Sequence, residues 1–95
     1  MEDDRFAWND RKAASNARDH AVTFNSARAA FDDPFAVEWI DEREDYGEER
    51  HALLGMVNAR LLYVAFTLRG GKIRIISARK AEPHERRLYH EENRF

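Results

Sequence analysis

The chain contains no cysteine, which excludes disulfide bonds and zinc sites built on thiolates. It has only two prolines and four glycines, and we find no linker, internal repeat or low-complexity segment. No apolar run is long enough for a signal peptide or a membrane span. For 95 residues, these absences favour one domain, residues 1–95, with a modest core, no membrane contact and a place in the cytoplasm.

The short motifs that mark several enzyme classes are also missing. The chain has no H-E-x-x-H, P-loop, G-x-G-x-x-G or G-x-S-x-G sequence. Metallohydrolase, nucleotide-binding and serine-hydrolase functions therefore have no support. We expect neither a metal ion nor a cofactor.

Positive charge is concentrated in one segment near the C-terminus. The whole chain has a formal net charge of −2. Between Arg69 and Arg87, seven lysines and arginines stand against two glutamates, so this segment carries about +5 and the remainder about −7. A cationic segment on an otherwise acidic domain indicates a site for an anion, and a polyphosphate backbone is the leading candidate.

The N-terminal third predicts two helices. A short aromatic alternation at residues 5–8 is compatible with an edge strand, and Asn9 or Asp10 is a suitable N-cap for a first helix that reaches about residue 20. A second helix is predicted from Asn25 or Ser26 to about residue 31, where an Asp-Asp-Pro sequence ends it.

The rest of the chain predicts β-structure and a final helix. Alternating apolar residues and turn signals predict four antiparallel strands over residues 35–40, 50–57, 61–68 and 73–78. A charged, exposed loop is expected over residues 41–49, and Glu82-Pro83 opens the last helix. The predicted fold class is α+β, with two N-terminal helices, a four-stranded twisted antiparallel sheet and a C-terminal helix.

One candidate site lies on the first predicted helix. Lys12, Asn16 and His20 are spaced four residues apart and share a polar stripe. Histidine exchanges protons near neutral pH, and Lys12 can hold a phosphate. The alternative is a solvated helix face, on which His20 interacts favourably with the C-terminal end of the helix dipole.

A second candidate site lies on the last predicted strand. Strict alternation places one set of side chains on one face (Lys72, Arg74, Ile76) and the other set on the opposite face (Ile73, Ile75, Ser77, Arg79). We expect the two isoleucines of the second set in the core and Arg79 at its rim. An arginine on a rigid strand can clamp a phosphate through its planar fork. The alternative is that Arg74 pairs with an acid on a neighbouring strand.

Two further candidates are weaker. On the last helix, Arg86, Tyr89 and His90 share one quadrant, where tyrosine can stack on a base and arginine can reach a phosphate. The alternative is a solvated amphipathic helix packed through Leu88. Glu49 is a candidate general base or a carboxylate that orients an arginine, and its alternative is a surface charge.

Several short sequences recur here in an order and spacing that resemble the BrnT family of toxins from type II toxin–antitoxin modules. The resemblance extends from Phe6 to about Tyr89. Its elements are Phe6-x-Trp8-x-x-x-Lys12, Asn16, His20, Val22-Thr23-Phe24, Phe31-Asp32-Asp33-Pro34, Glu48-Glu49-Arg50, the run from Arg74 to Ala81, and Glu85-Arg86-Arg87-x-Tyr89.

This resemblance implies a RelE-like fold and a metal-independent endoribonuclease that inhibits growth and is neutralised by a BrnA-type antitoxin. It also implies a 2:2 complex that binds DNA through the antitoxin and represses its own operon. We expect the catalytic residues to be His20, Arg79, Arg74 and Glu49. We expect the RNA contacts to come from Lys12, Asn16, Lys80, Arg86 and Tyr89.

The chain departs from the family at the end of the first helix. The family usually has Lys-His-Gly there, whereas this chain has Asp19-His20-Ala21. The carboxylate beside His20 favours protonated histidine, and the missing glycine removes the easiest helix C-cap. An alternative function is therefore a catalytically weak homologue that acts mainly as an antitoxin-binding co-repressor module.

Overall fold

The computed structural model describes residues 1–43 and 47–94. The elements in chain order are β1 (Phe6–Ala7), α1 (Asp10–His20), α2 (Phe24–Ala30), β2 (Val37–Asp41), β3 (Arg50–Val57), β4 (Arg60–Arg69), β5 (Lys72–Lys80) and α3 (Pro83–Glu92). The predicted order of elements is confirmed, with strand ends that differ by one or two residues. Part of the expected loop at 41–49, residues 44–46, lies outside the described residues. Within the described ranges, no helix is long and apolar enough to cross a membrane.

The strands form one five-stranded sheet in the order β1-β5-β4-β3-β2. The four predicted strands pair antiparallel with their neighbours, as expected. The predicted total of four strands is wrong, because β1 adds a fifth that runs parallel to β5 and pairs with Ile73 and Arg74. The aromatic alternation at residues 5–8 indicated an edge strand, but a partner so distant in sequence leaves no local pattern, so its pairing with β5 was not predicted.

Side chains from the two sides of the sheet enter separate apolar clusters. We call the side that faces α1 and α2 the helical face, and its buried members include Phe24, Ala27, Leu53, Val64, Phe66 and Ile75. We call the opposite side the α3 face, and its buried members include Ala52, Leu54, Leu61, Tyr63 and Tyr89. The sheet is therefore sandwiched unequally, with two helices on one side and one helix on the other.

Close packing of α2 on the sheet depends on Gly55 in β3. A Cβ atom at this position would lie 2.3 Å from the carbonyl oxygen of Ala30, at the end of α2. Glycine is the residue that allows backbone to approach backbone this closely. This position therefore fixes how near α2 lies to the strand.

The register between β4 and β5 contains a β-bulge. Ile75 pairs with Phe66, but Ser77 pairs with Ala65, the residue immediately before Phe66. Ile76 is therefore an extra residue in β5, and the alternation of side chains shifts by one after it.

This bulge corrects the predicted faces of β5. Arg74 pairs with Thr67, and Arg79 pairs with Tyr63. Thr67 and Tyr63 are an even number of residues apart on β4, so their side chains share one face, and Tyr63 belongs to the α3 face. Both arginines therefore lie on the α3 face. Strict alternation had placed Arg79 on the core face together with Ile75, and that prediction is wrong. The extra Ile76 thus brings two cationic side chains to one side of the sheet.

Asn16 fixes α1 against the edge of β5. Its buried amide nitrogen donates to the carbonyl oxygens of Ala78 (2.8 Å) and Val22 (2.9 Å), and its amide oxygen accepts from the Ala78 N–H (3.0 Å). The side chain therefore makes the pair of hydrogen bonds that a neighbouring strand would make. Its polar atoms are used inside the protein, so we assign Asn16 a structural role rather than the predicted RNA contact.

The ends of the first two helices follow capping chemistry. Asn9 is the N-cap of α1, as predicted, and its side chain accepts from the Lys12 N–H at 3.0 Å. The predicted cap of α2 at Asn25 or Ser26 is wrong, because Thr23 takes that place and accepts from the Ser26 N–H at 3.0 Å. Threonine at this position places the N-cap of α2 two or three residues earlier than predicted.

Replacing Ala21 by glycine should stabilise the protein. Ala21 ends α1 with φ of 56°, in the left-handed region that a Cβ atom disfavours by roughly 1–2 kcal/mol. Part of that gain is offset because glycine makes the unfolded chain more flexible, so we expect a net increase of about 0.5–1 kcal/mol in the free energy of unfolding. Urea unfolding of the wild type and Ala21→Gly measures it, and a loss of stability would contradict the assigned backbone conformation.

Candidate functional site

Three exposed cationic or titratable side chains lie on the α1 side of β5. Lys12 and His20 stand one helical turn, about 6 Å, before and after Asn16, whose side chain contacts Ala78. Lys80 has the same parity as Ala78, so it lies on the helical face. The contact of Asn16 with Ala78 therefore places the α1 stripe that carries Lys12 and His20 beside the half of β5 that carries Lys80.

Arg79, on the α3 face, is held by several partners. Its two terminal nitrogens donate to the two carboxylate oxygens of Glu85, at 2.8 and 2.9 Å. The same nitrogens reach Glu82 at 3.3 Å and the carbonyl oxygen of Lys80 at 3.3 Å. The guanidinium also stacks over the Tyr63 ring, 4.2 Å from its centroid. Its fork is therefore occupied in this structure, chiefly by Glu85.

The Arg79–Glu85 pair is stable in its charged form. Hydrogen bonding to Glu85 raises the pKa of Arg79. Burial acts to raise the pKa of Glu85, but the hydrogen bonds from Arg79 and from the Glu82 N–H outweigh it, and the net pKa is lowered. The pair links β5 to the first turn of α3, so any anion that binds the Arg79 fork must replace the Glu85 carboxylate.

Arg74 lies at the other end of β5 in a more open position. It lines a depression of about 220 Å³ together with Arg69 and Lys72. Glu2 lies at the same depression, and its carboxylate accepts a hydrogen bond from Lys72 that lowers the pKa of Glu2. Among the described residues Arg74 itself forms no salt bridge, so the alternative pairing with an acid on a neighbouring strand is not what the structure contains.

Tyr89 anchors α3 and is not available to stack on a base. Its ring is buried, and its hydroxyl donates to Asp33 Oδ2 at 2.7 Å. Burial and this hydrogen bond raise the pKa of Tyr89 to about 12. The predicted RNA contact by Tyr89 is therefore replaced by a structural role.

Asp33 joins three separate parts of the chain. Besides Tyr89 it accepts from the backbone N–H groups of Met56 (2.7 Å) and Phe35 (2.9 Å). Burial acts to raise the pKa of Asp33, but these hydrogen bonds lower it further than burial raises it. The sequence indicated only that this Asp-Asp-Pro segment ends a helix, and its link to α3 was missed.

Arg86 and His90 are exposed on α3, although the His90 ring contacts the edge of the buried Tyr89 ring, with centroids 5.4 Å apart. Arg86 Nη1 donates to the carbonyl oxygen of Ala81 at 2.9 Å, which holds the stem of the side chain against the end of β5. The predicted quadrant of Arg86, Tyr89 and His90 is therefore divided, with two members exposed and one in the core. Of the two exposed members, Arg86 adds a cation on α3 close to the end of β5.

Glu49 lies apart from the other candidates. Its carbonyl oxygen accepts from the Thr67 hydroxyl at 2.8 Å, and one carboxylate oxygen lies 3.4 Å from Nε2 of His51. Thr67 is opposite Arg74 on β4, so Glu49 is two strands, about 10 Å, from that arginine and at the end of the sheet away from His20. His51 is buried and stacks on Phe66, with ring centroids 5.2 Å apart.

A groove of about 390 Å³ separates β2 from α3. Trp39, Tyr63 and Leu88 provide its apolar surface, and Asp41 and Glu85 stand among its polar residues. No group of three or more histidine and carboxylate side chains within the described residues is placed to hold a metal ion. The molecule thus has cationic side chains on β5, α1 and α3 and, nearer β2, a groove in which three carboxylates stand beside Arg43 and His84.

Comparison with known proteins places this arrangement in a family. A family profile described as the ribonuclease toxin BrnT of type II toxin–antitoxin systems matches residues 8–85. No curated protein matches the chain significantly. The matched region begins in the segment before α1 and ends within α3, and it contains Lys12, His20, Arg74, Arg79 and Lys80. The chain belongs to the BrnT family of ribonuclease toxins of type II toxin–antitoxin systems.

Proposed function

We propose that this chain is a cytoplasmic toxin that inhibits growth by cutting RNA without a metal ion. The observation that carries the proposal is the family match over residues 8–85, which spans both α1 and β5. It is supported by the exposed His20 close to the end of a strand that carries Arg79 and Lys80. A titratable group beside several cations is what cleavage of a phosphodiester requires.

In the proposed reaction the 2′-hydroxyl of the RNA is the nucleophile. It attacks the adjacent phosphorus, the bond to the 5′-oxygen breaks, and the products are a 2′,3′-cyclic phosphate and a 5′-hydroxyl. His20 takes the proton from the 2′-hydroxyl and returns it to the leaving 5′-oxygen, while Lys12, Lys80 and Arg79 stabilise the charge on the phosphate. Arg74, at the other end of β5, holds a neighbouring phosphate of the RNA rather than the one that reacts. We leave Glu49 out of this mechanism, because it lies at the opposite end of the sheet from His20.

Arg79 can take part only if phosphate displaces Glu85 from its fork. Replacing Glu85 by glutamine keeps the shape of the side chain and one acceptor oxygen but removes the competing charge. At the few ångströms that separate such groups, we expect RNA to bind about three- to tenfold more tightly. Fluorescence anisotropy with a labelled oligoribonucleotide measures this change.

The matched control for that experiment is Glu91→Gln, which alters net charge equally on the exposed part of α3. Glu91 should change RNA affinity little, because its side chain is not among the partners of Arg79. Equal effects of the two substitutions would show a general charge effect. If neither Glu85→Gln nor Arg79→Ala changes the affinity for RNA, Arg79 does not bind RNA and serves only to attach α3 to β5.

Induced expression in cells tests the proposed function directly. We expect the wild type to arrest growth and to degrade RNA, which is read from total RNA on a gel. Normal growth with intact RNA at a matched soluble level would contradict a ribonuclease toxin. Addition of a chelator to the purified protein should leave cleavage unchanged if the mechanism needs no metal ion.

A second candidate function is a toxin homologue that works mainly as a co-repressor partner of the antitoxin. The occupied fork of Arg79 and the carboxylate of Asp19 beside His20 favour it. This function predicts operator binding by the complex without RNA cleavage by the free chain. An RNA-cleavage assay on the purified protein separates the two.

We further propose that the partner is a BrnA-type antitoxin, in a 2:2 complex that binds DNA through the antitoxin. Membership of a type II family supports an antitoxin partner of some kind. We also propose that the fold is RelE-like, which the two helices packed on a mostly antiparallel sheet support. Size-exclusion chromatography with light scattering of the co-expressed pair tests the stoichiometry.

A further inference from the structure

The two edges of the sheet differ in how they are protected. At one edge, β1 covers Ile73 and Arg74 of β5, and the Asn16 amide covers Ala78. At the other edge, β2 pairs with β3 on its inner side, and no described residue pairs with its outer side. A strand with an open edge presents a row of N–H and C=O groups to which another extended chain can bond.

Apolar side chains are exposed at this same open edge. Three large hydrophobic residues of the described chain are exposed: Phe35 (50%), Ile40 (46%) and Leu68 (57%). Ile40 belongs to β2 and Phe35 precedes it, while Leu68 lies far away near the β4–β5 turn. On the other side of β2, Trp39 lines the apolar part of the groove beside α3.

The charge of this edge selects the kind of partner. Among the described residues of β2 and those directly after it, Glu38, Asp41 and Glu42 are acidic, and the one basic residue, Arg43, pairs with Asp41. The groove also contains His84 and Glu85, and the Glu85 carboxylate is already paired with Arg79. Such a surface repels the phosphates of RNA and attracts lysine and arginine side chains.

We propose that the open edge of β2 and the adjoining groove bind an extended segment of the antitoxin in which basic and apolar residues alternate. The segment adds a sixth strand, so its backbone bonds to β2 while alternate side chains enter the groove or contact Ile40. This inference rests on the proposed function for the existence of that partner. It goes further by placing the partner at the edge opposite β5.

Separation of the two edges has a measurable consequence. β2 and β5 are three strand spacings apart, about 14 Å, with β3 and β4 between them. Substitutions at the β2 edge should therefore weaken binding of the antitoxin and leave the rate of RNA cleavage by the free chain unchanged. Ile40 is suited to this test, because it lies outside every group proposed to act on RNA.

The experiment measures the affinity of the chain for the antitoxin-type protein encoded beside its gene, by calorimetry. We expect Ile40→Asp to weaken binding by about tenfold or more, since the substitution removes an exposed apolar contact beside the docked strand. Leu68→Asp is the matched control, because it makes the same kind of change at an exposed residue away from β2, and it should bind as the wild type does. Equal affinity of Ile40→Asp and the wild type overturns the proposal.

Hydrogen exchange on the wild-type chain gives a second readout that requires no substitution. Binding should slow exchange of backbone amides in β2 (Val37–Asp41). Protection confined to β5 (Lys72–Lys80) and α3 would instead place the antitoxin on the cationic region and overturn the proposal. A dimer of the free chain that Ile40→Asp dissociates would make a second copy the occupant and would also overturn it.

Failure of this inference is distinguishable from failure of the proposed function. If the wild type forms no complex, the proposed antitoxin partner and the docking site at β2 are both rejected. The RNA-cleavage assay still tests the proposed ribonuclease activity by itself. If every variant binds the antitoxin with equal affinity, the antitoxin partner is retained and only the docking site at the β2 edge is rejected.

Discussion

His20→Ala should reduce RNA cleavage by about 10²- to 10⁴-fold, the usual contribution of a positioned acid or base. His20 is exposed at the last position of α1, so its removal should change stability by less than about 1 kcal/mol through loss of its interaction with the helix dipole. The measurement is the initial rate of cleavage of total cellular RNA by the purified proteins, at one pH and matched concentration. Toxicity in cells should be lost together with the rate.

His90→Ala is the matched control for this result. His90 is also an exposed histidine in the last turn of its helix, but it lies on α3 rather than beside Asn16. Its replacement should change the cleavage rate by only a few-fold through reduced RNA binding. A His20→Ala protein that cuts RNA as fast as the wild type would remove His20 from the mechanism and would favour the co-repressor function.

Gly55→Ala should lower the free energy of unfolding by about 3 kcal/mol, at the upper end of what overpacking of a core costs. The added Cβ atom would lie 2.3 Å from the Ala30 carbonyl oxygen and 2.9 Å from its carbonyl carbon, both of which are backbone atoms. Backbone cannot rotate away as a flexible side chain can, so α2 must move off the sheet. For a domain of this size the midpoint of thermal unfolding should fall by roughly 12–24 °C.

Ala59→Gly provides the comparison for Gly55→Ala, because it exchanges the same two residue types in the opposite direction. Ala59 lies in the turn between β3 and β4 with φ of 66°, where glycine is favoured. This substitution should leave stability unchanged or raise it slightly. Thermal unfolding followed by circular dichroism measures both variants, and a Gly55→Ala protein as stable as the wild type would contradict the close approach of α2.

Local sequence patterns were sufficient to predict most of the elements. β3 was predicted with its observed ends, because its apolar residues are bounded by charged and turn residues. The turn at Gly70 and Gly71 was also readable, since both have positive φ in the structure and glycine is the residue that adopts it freely. These features depend on residues close together in the chain.

The features that could not be predicted depend on distant partners. Asn16 bonds to Ala78, 62 residues away, and the polar stripe of a helix gives no sign that one member is buried. Tyr89 bonds to Asp33, 56 residues away, so its burial was equally invisible. The bulge at Ile76 leaves no mark in the sequence, where the alternation of residues is unbroken. In the structure it moves Arg79 to the opposite face of the sheet. The family resemblance identified the right segments but not these contacts.

The amide of Asn16 also limits how copies of this protein can assemble. Sheets polymerise when each subunit offers two open edges, because every added strand then exposes a new edge for the next. Here the two-residue strand β1 and a side chain of α1 together cover one edge of β5, so a subunit that pairs through β2 offers no second long open strand for growth. Edge-to-edge assembly through β2 should therefore stop at a pair, because β1 and the Asn16 amide leave the opposite edge without an open strand.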